Sequence, residues 1–160
     1  MGTQFELPDQ TPCFFCDLIE RGKTDDFIEE TELTITRVNG RQFQEGQVVV
    51  LPRRHAPLLF DLTDREMEVV MQAARRVGRA IAQAFDCDGL LLYQNNGRVA
   101  GQGVPHFHLH VVPQQREHST WGNGPAHLAR LEGKPALGIR PIDLSDNQAQ
   151  AMAAKIKSFM

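Results

Sequence analysis

Residues 104 to 113 read VPHFHLHVVP, and the alternation in that run constrains the fold more than any other feature of the chain. On an extended strand, Phe107, Leu109 and Val111 fall on one face and His106, His108 and His110 on the other. Three of the six histidines therefore stand in one row. Residues two apart on a strand are separated by about 6.6 to 7 Å, so the outer pair spans roughly 13 Å. Zinc takes imidazole nitrogens at about 2.0 to 2.1 Å, and one ion cannot gather all three rings without distorting the strand. The row must divide its work. Buried imidazoles need partners for both ring nitrogens and resist charging, so packing alone gives no reason to align three of them.

The remaining pattern predicts an α+β chain. The stretch 27 to 39, FIEETELTITRVN, reads as two strands meeting near Glu30 to Glu32, and 47 to 52, QVVVLP, as a third. Thr63 and Glu66 form a capping box that opens the main helix. Met67, Val70, Met71, Ala74, Val77, Ile81 and Phe85 follow at helical spacing as a core stripe, with Arg75, Arg76 and Arg79 on a solvated face. GLLLYQNN, 89 to 96, reads as a strand, joined to the histidine run by the Gly-rich connection 97 to 103. SDNQ, 145 to 148, starts a terminal helix that runs to about Phe159, and 114 to 144, with four Gly and three Pro, reads as an irregular surface arm. The expectation is one domain over 1–160, with a core at about 13–115 and an arm and helix at 116–160.

Charge and composition narrow the partners. A length of 160 residues supports a respectable core, and a net charge of −3 argues against a non-specific binder of nucleic-acid polymers. Apolar runs fall short of the ~18 residues a membrane span needs, and the N-terminus carries no signal pattern. Three cysteines, an odd number, agree with a reducing compartment, so the expected location is cytoplasmic.

Imidazole is suited to attack on phosphorus near neutral pH, because much of it is neutral with a free lone pair. Geometry favours the middle of the row: His108 as nucleophile, His110 holding developing charge on the phosphate oxygens, and the glycine-rich loop offering N–H groups. His106 then has another use. Cys13 and Cys16 form a CxxC, a spacing compatible with zinc, with redox chemistry or with no role; a redox motif prefers a helix start directly after a strand. For a Cys2His2 zinc site, His55 and His106 are the candidates to complete the ligand set. Cys87 reads as a bystander.

These residues resemble the histidine triad family, whose motif is His, apolar, His, apolar, His, apolar, apolar. The likeness covers roughly residues 13 to 115 and is carried by CFFC, RVN, VVVLPRRH, YQNN and AGQGVPHFHLHVVP. It implies an α+β fold with an antiparallel sheet of about five strands, a main helix and a C-terminal helix. It also implies a homodimer whose sheets join, and hydrolysis or transfer of nucleotidyl groups through a nucleotidyl-histidine intermediate. Under the resemblance, His108 is the nucleophile and His110 binds phosphate. Asn39 lies against the ribose hydroxyls, while Asn95 and Gln102 serve the phosphates. Zinc-bearing members imply Cys13, Cys16, His55 and His106 as ligands of one structural zinc, with no metal required for the chemistry. Two positions depart from the family pattern. Gly103 stands where many members carry a hydroxyl that assists the leaving group, and Gln47 where many carry a fourth histidine near the phosphates. A nucleotide-binding protein without catalysis, and an enzyme using the triad itself as metal ligands, are the rival readings.

Overall fold

The computed structural model describes residues 5–115 and 141–160, so most of the expected surface arm lies outside the described residues. Its frame is a five-stranded antiparallel sheet. The strands are β1 (Phe27–Glu30), β2 (Thr34–Val38), β4 (Val48–Pro52), β5 (Gly89–Tyr93) and β6 (Leu109–Gln114), in the spatial order β1-β2-β4-β6-β5. Helix α2 (Asp64–Ala84) carries the capping box expected of Thr63 and Glu66, and α3 (Asp146–Lys157) carries one at Ser145 and Gln148. A short helix α1 (Phe14–Glu20) begins at Cys13, a stretch that reads as irregular from sequence. β3 (Arg41–Gln42) pairs with β7 (Ile142–Asp143), so this end of the expected arm is ordered against the body of the protein.

Strand alternation sorts the side chains onto two faces. Val38, Val48, Val50, Phe107, Leu109 and Val111 pack with α2 and α3, whereas Phe27, Ile35, Val49 and Leu51 pack with Phe15 and Leu18 of α1. The helix stripe is only partly the expected one. Val70, Ala74, Val77 and Ile81 are buried, but Met67 and Met71 are exposed. At 100° per residue these two methionines sit about 80 and 120° from Val77, on the flank of the buried arc rather than at its centre. Arg76 also departs from expectation: it makes a bidentate pair with Glu29 at 2.8 and 2.7 Å, tying α2 to β1.

The histidine run is extended only in its second half. β4 pairs with β6 only over Val48 to Val50, although β4 itself continues to Pro52 against β2, so the chain before Leu109 has no continuous ladder. Instead His106 N–H bonds to the Val104 carbonyl at 2.8 Å and Phe107 N–H to the Ala56 carbonyl at 2.7 Å. Inside-outside alternation survives this bend, because Phe107, Leu109 and Val111 all enter the α2 core.

Candidate active site and metal centre

The bend delivers His106 to the N-terminal helix. Cys13 caps α1 and Cys16 lies in its first turn, so the helix geometry turns both sulfurs to one place. His106 Nδ1 lies 3.7 Å from each sulfur, and His55 Nδ1 lies 3.2 Å from that of Cys16. All four ligand atoms fall within 4.8 Å of one another. A tetrahedral zinc with the usual bond lengths puts sulfur and nitrogen about 3.6 Å apart. The donor set and its spacing therefore fit that ion, and His108 and His110 lie outside the cluster.

Electrostatics favour the same use. His106 is fully buried, and burial pushes its imidazole down to about 4, with His55 and His108 adding to the effect and the Pro52 carbonyl opposing it. Its Nε2 lies 2.9 Å from that carbonyl, which fixes the hydrogen on Nε2 and leaves the lone pair on Nδ1, facing the sulfurs. Burial first, and then the neighbouring Cys13, push the Cys16 thiol up to about 11. Two adjacent thiols resist ionising together unless a cation joins them.

The next ring presents its other edge. His108 Nδ1 lies 2.7 Å from the carbonyl of His106 and must donate to it, so the neutral ring carries its lone pair on Nε2. Burial holds this imidazole below the ordinary range, which keeps that lone pair available. His110 follows edge-on with ring centroids 4.9 Å apart, and Tyr93 stacks on His110 at 4.3 Å and 13°. A nucleophilic nitrogen beside a second imidazole is an arrangement able to attack phosphorus while holding its oxygens.

The other expected site residues divide between rim and support. Asn39 and Asn95 are half-buried at the ends of β2 and β5, and Asn95 Nδ2 donates to the Gly101 carbonyl at 3.3 Å. Gly103 is exposed. Gln102 is buried with both ends of its amide used: Oε1 accepts from Gly97 N–H and Nε2 donates to the Pro57 carbonyl, each at 2.7 Å. Gln47 is fully buried and sits behind His110, its Nε2 2.9 Å from Nδ1 of that ring.

Arg37 escaped the sequence reading. Strand register aligns Arg37, Val49, His110 and Tyr93 across four strands on one face. Arg37 is paired with Asp26 and lies 5.6 Å over the Phe14 ring. The available signal was its inward phase within TITRV, where a charged residue breaks the alternation.

A family model described as the HIT domain matches residues 20–117, well over half of the chain, and the protein belongs to that family. Its relatives include the adenosine 5'-monophosphoramidase of Schizosaccharomyces pombe, 28% identical over 79% of this chain and 92% of that protein. The bis(5'-adenosyl)-triphosphatase of Dictyostelium discoideum is 34% identical over 54% of this chain and 58% of that protein. Among solved structures, a Zn-bound histidine triad family protein from Mycobacterium smegmatis superposes with a TM-score of 0.65 at 24% identity, covering 92% and 96% of the two chains. The resemblance read from the triad motif and the α+β sheet expected from it are both present.

Proposed function

We propose that the protein is a nucleotide hydrolase or nucleotidyl transferase acting at the α-phosphate. The candidate substrates are nucleoside phosphoramidates, dinucleoside polyphosphates and adenylylated adducts. The observation that carries this reading is the 2.7 Å bond from His108 Nδ1 to the His106 carbonyl, which aims an unprotonated Nε2 away from the backbone. In the first step Nε2 attacks phosphorus, a P–N bond forms, and the bond to the leaving group breaks, an amine or alcohol leaving with a proton taken from solvent and a phosphate leaving as its anion. The Nδ1 hydrogen bond stabilises the positive charge that develops on the ring. In the second step water attacks phosphorus, the P–N bond breaks, and the neutral imidazole returns with nucleoside monophosphate as product. His110 donates to the phosphate oxygens. Asn39 faces the ribose hydroxyls, and Asn95 and the 101–103 backbone border the phosphates. The relatives' activities on adenosine phosphoramidates and diadenosine triphosphate support this chemistry.

A structural zinc held by Cys13, Cys16, His55 and His106 accompanies it, tying α1 to the sheet and supplying no step of the reaction. A homodimer joined along β5 fits as well. β5 is one of the sheet's two edges, and Leu90 and Leu92 on it are exposed, as are Met67 and Met71 on α2. The reading takes the whole chain as one domain, and its reduced thiols suit a cytoplasmic location.

Mass spectrometry of protein quenched during turnover with a panel of adenylyl and guanylyl substrates tests the mechanism. A nucleotidyl adduct on His108 is expected, and turnover with no adduct on that residue sinks the covalent route. Gly103, which offers no hydroxyl at the leaving group, favours one rival, a nucleotide-binding protein without catalysis. Saturable binding of nucleoside monophosphate with no hydrolysis of any panel member would establish it.

A further inference from the structure

We propose that Gln47 is a positioning residue that fixes His110 as a neutral imidazole with its hydrogen on Nε2. This ring then meets phosphate as a hydrogen-bond donor and not as a cation. What His110 faces rests on the reading given under Proposed function; the state of the ring does not.

The argument starts from a group that can only donate. Phe43 N–H lies 2.9 Å from Oε1 of Gln47, so the amide oxygen faces Phe43 and the NH2 points the other way. That NH2 has two hydrogens and meets two acceptors, His110 Nδ1 at 2.9 Å and the Tyr93 hydroxyl oxygen at 3.3 Å. The side chain is 0% exposed, so water cannot repair a flipped amide. A flip would set N–H against N–H at Phe43 and leave buried groups unsatisfied.

An amide held at both ends dictates the ring beside it. With an N–H donor aimed at it, Nδ1 of His110 must be the lone-pair nitrogen, and the ring's hydrogen resides on Nε2. Adding a second proton at Nδ1 would set that N–H against the N–H of a fully buried amide, so the group that orients the ring also opposes its charging. The stacked Tyr93 stops the ring from turning away from this contact. The titratable rings packed against His110 among the described residues are Tyr93 and His108, and Gln47 is the side chain set between the ring and β4.

The test reads the ring and not the rate. Long-range 1H–15N spectra of the full chain, labelled at histidine and recorded at pH 8, distinguish the two tautomers. The His110 signals are identified by their loss in His110→Gln. A single Nε2–H tautomer is expected in the wild type. In Gln47→Glu the carboxylate becomes an acceptor, and the hydrogen should shift to Nδ1 or the ring should become doubly protonated. A wild-type His110 that is Nδ1–H, doubly protonated or a mixture overturns the proposal, as does a folded Gln47→Glu protein whose tautomer is unchanged. If that variant does not fold, the wild-type spectrum still decides. Mass spectrometry on the same sample keeps the two readings apart. The tautomer without a His108 adduct removes the covalent mechanism and leaves the positioning role, and an adduct without the tautomer does the reverse.

Discussion

The two ends of the histidine run use the same side chain in opposite senses. At His106 the backbone takes Nε2, through the Pro52 carbonyl, and the ring offers Nδ1 to Cys13 and Cys16. At His108 the backbone takes Nδ1, through the carbonyl of His106 itself, and the ring offers Nε2. Two residues of chain separate a ring whose Nδ1 faces two sulfurs from one whose Nε2 is left unprotonated. What distinguishes them is the backbone carbonyl that each meets, which a sequence motif does not write down. The metal end should govern stability and the phosphate end turnover, and the experiments that follow are ordered by how hard they press on that division.

The sharpest test replaces the proposed nucleophile. His108→Ala should lower phosphoramidate hydrolysis by about 10,000-fold or more while nucleoside monophosphate binding and melting temperature stay close to the parent's. Hydrolysis within about tenfold of the parent would dissolve the division, because the ring could then be only a support.

At the other end, metal analysis of protein purified without added zinc should find close to one equivalent per chain, absent in Cys13→Ser. Loss of a site that fastens α1 to the sheet should lower the melting temperature by about 10 °C, on the scale of a few kcal/mol in a chain of this size. A metal-free protein with an unchanged melting temperature would remove the metal from the account of this corner.

A smaller effect belongs to the same end. Arg54 precedes the zinc candidate His55 and binds Glu66 through two bonds of 2.9 and 2.8 Å, which hold the 53–62 loop onto the start of α2. The Arg54 bond, with help from Thr63, holds the Glu66 carboxyl down at about 2, against a burial effect in the other direction. Because the folded value lies below the unfolded one, this stabilisation is complete above about pH 4.5 and is lost as pH falls toward 2. Glu66→Gln should therefore cost about 2 kcal/mol at pH 7, allowing for the half-exposed arginine, and nearly nothing at pH 2. Urea denaturation at the two pH values checks the sign. An equal cost at both would mean that Glu66 acts through the capping box alone.

Much of this was legible in the chain, and the misses share a cause. The two capping boxes, the five main strands and the facing of Phe107, Leu109 and Val111 follow from local rules of spacing. The straight histidine strand does not, because its first half leaves β4 after the Val50–Leu109 pair and bonds instead to the 52–56 segment, a choice made by distant residues. Met67 and Met71 satisfy helical spacing but lie on the flank of an arc whose centre is set by the sheet. α1 is too short to carry a periodic signal. Gln102 and Gln47 are expected near the phosphates, and their motif positions do not announce that both side chains are buried with each end of the amide bonded to protein. Polar residues in a motif look alike whether they touch the ligand or hold what touches it, until their partners are known.

The finest expected effect lies at Gly103, on the leaving-group side of the phosphate end. If the missing hydroxyl matters, its absence costs most for poor leaving groups, since one charge-assisted hydrogen bond to a transition state is worth about 1.5 to 3 kcal/mol. Gly103→Ser should then raise the rate on alkyl phosphoramidates by roughly tenfold and barely change it for pyrophosphate or an acidic phenol. The backbone permits the change: Gly103 is not at positive φ, and a Cβ there would meet nothing within 4 Å among the described residues. Strain therefore does not compete with the chemical effect, as it would at Gly97 or Gly101, both at positive φ. Rates for parent and variant across a leaving-group series decide the matter. Lines that converge toward the best leaving groups place the deficit in protonation, whereas parallel lines mean that the serine acts on binding and that the phosphate end never depended on a hydroxyl.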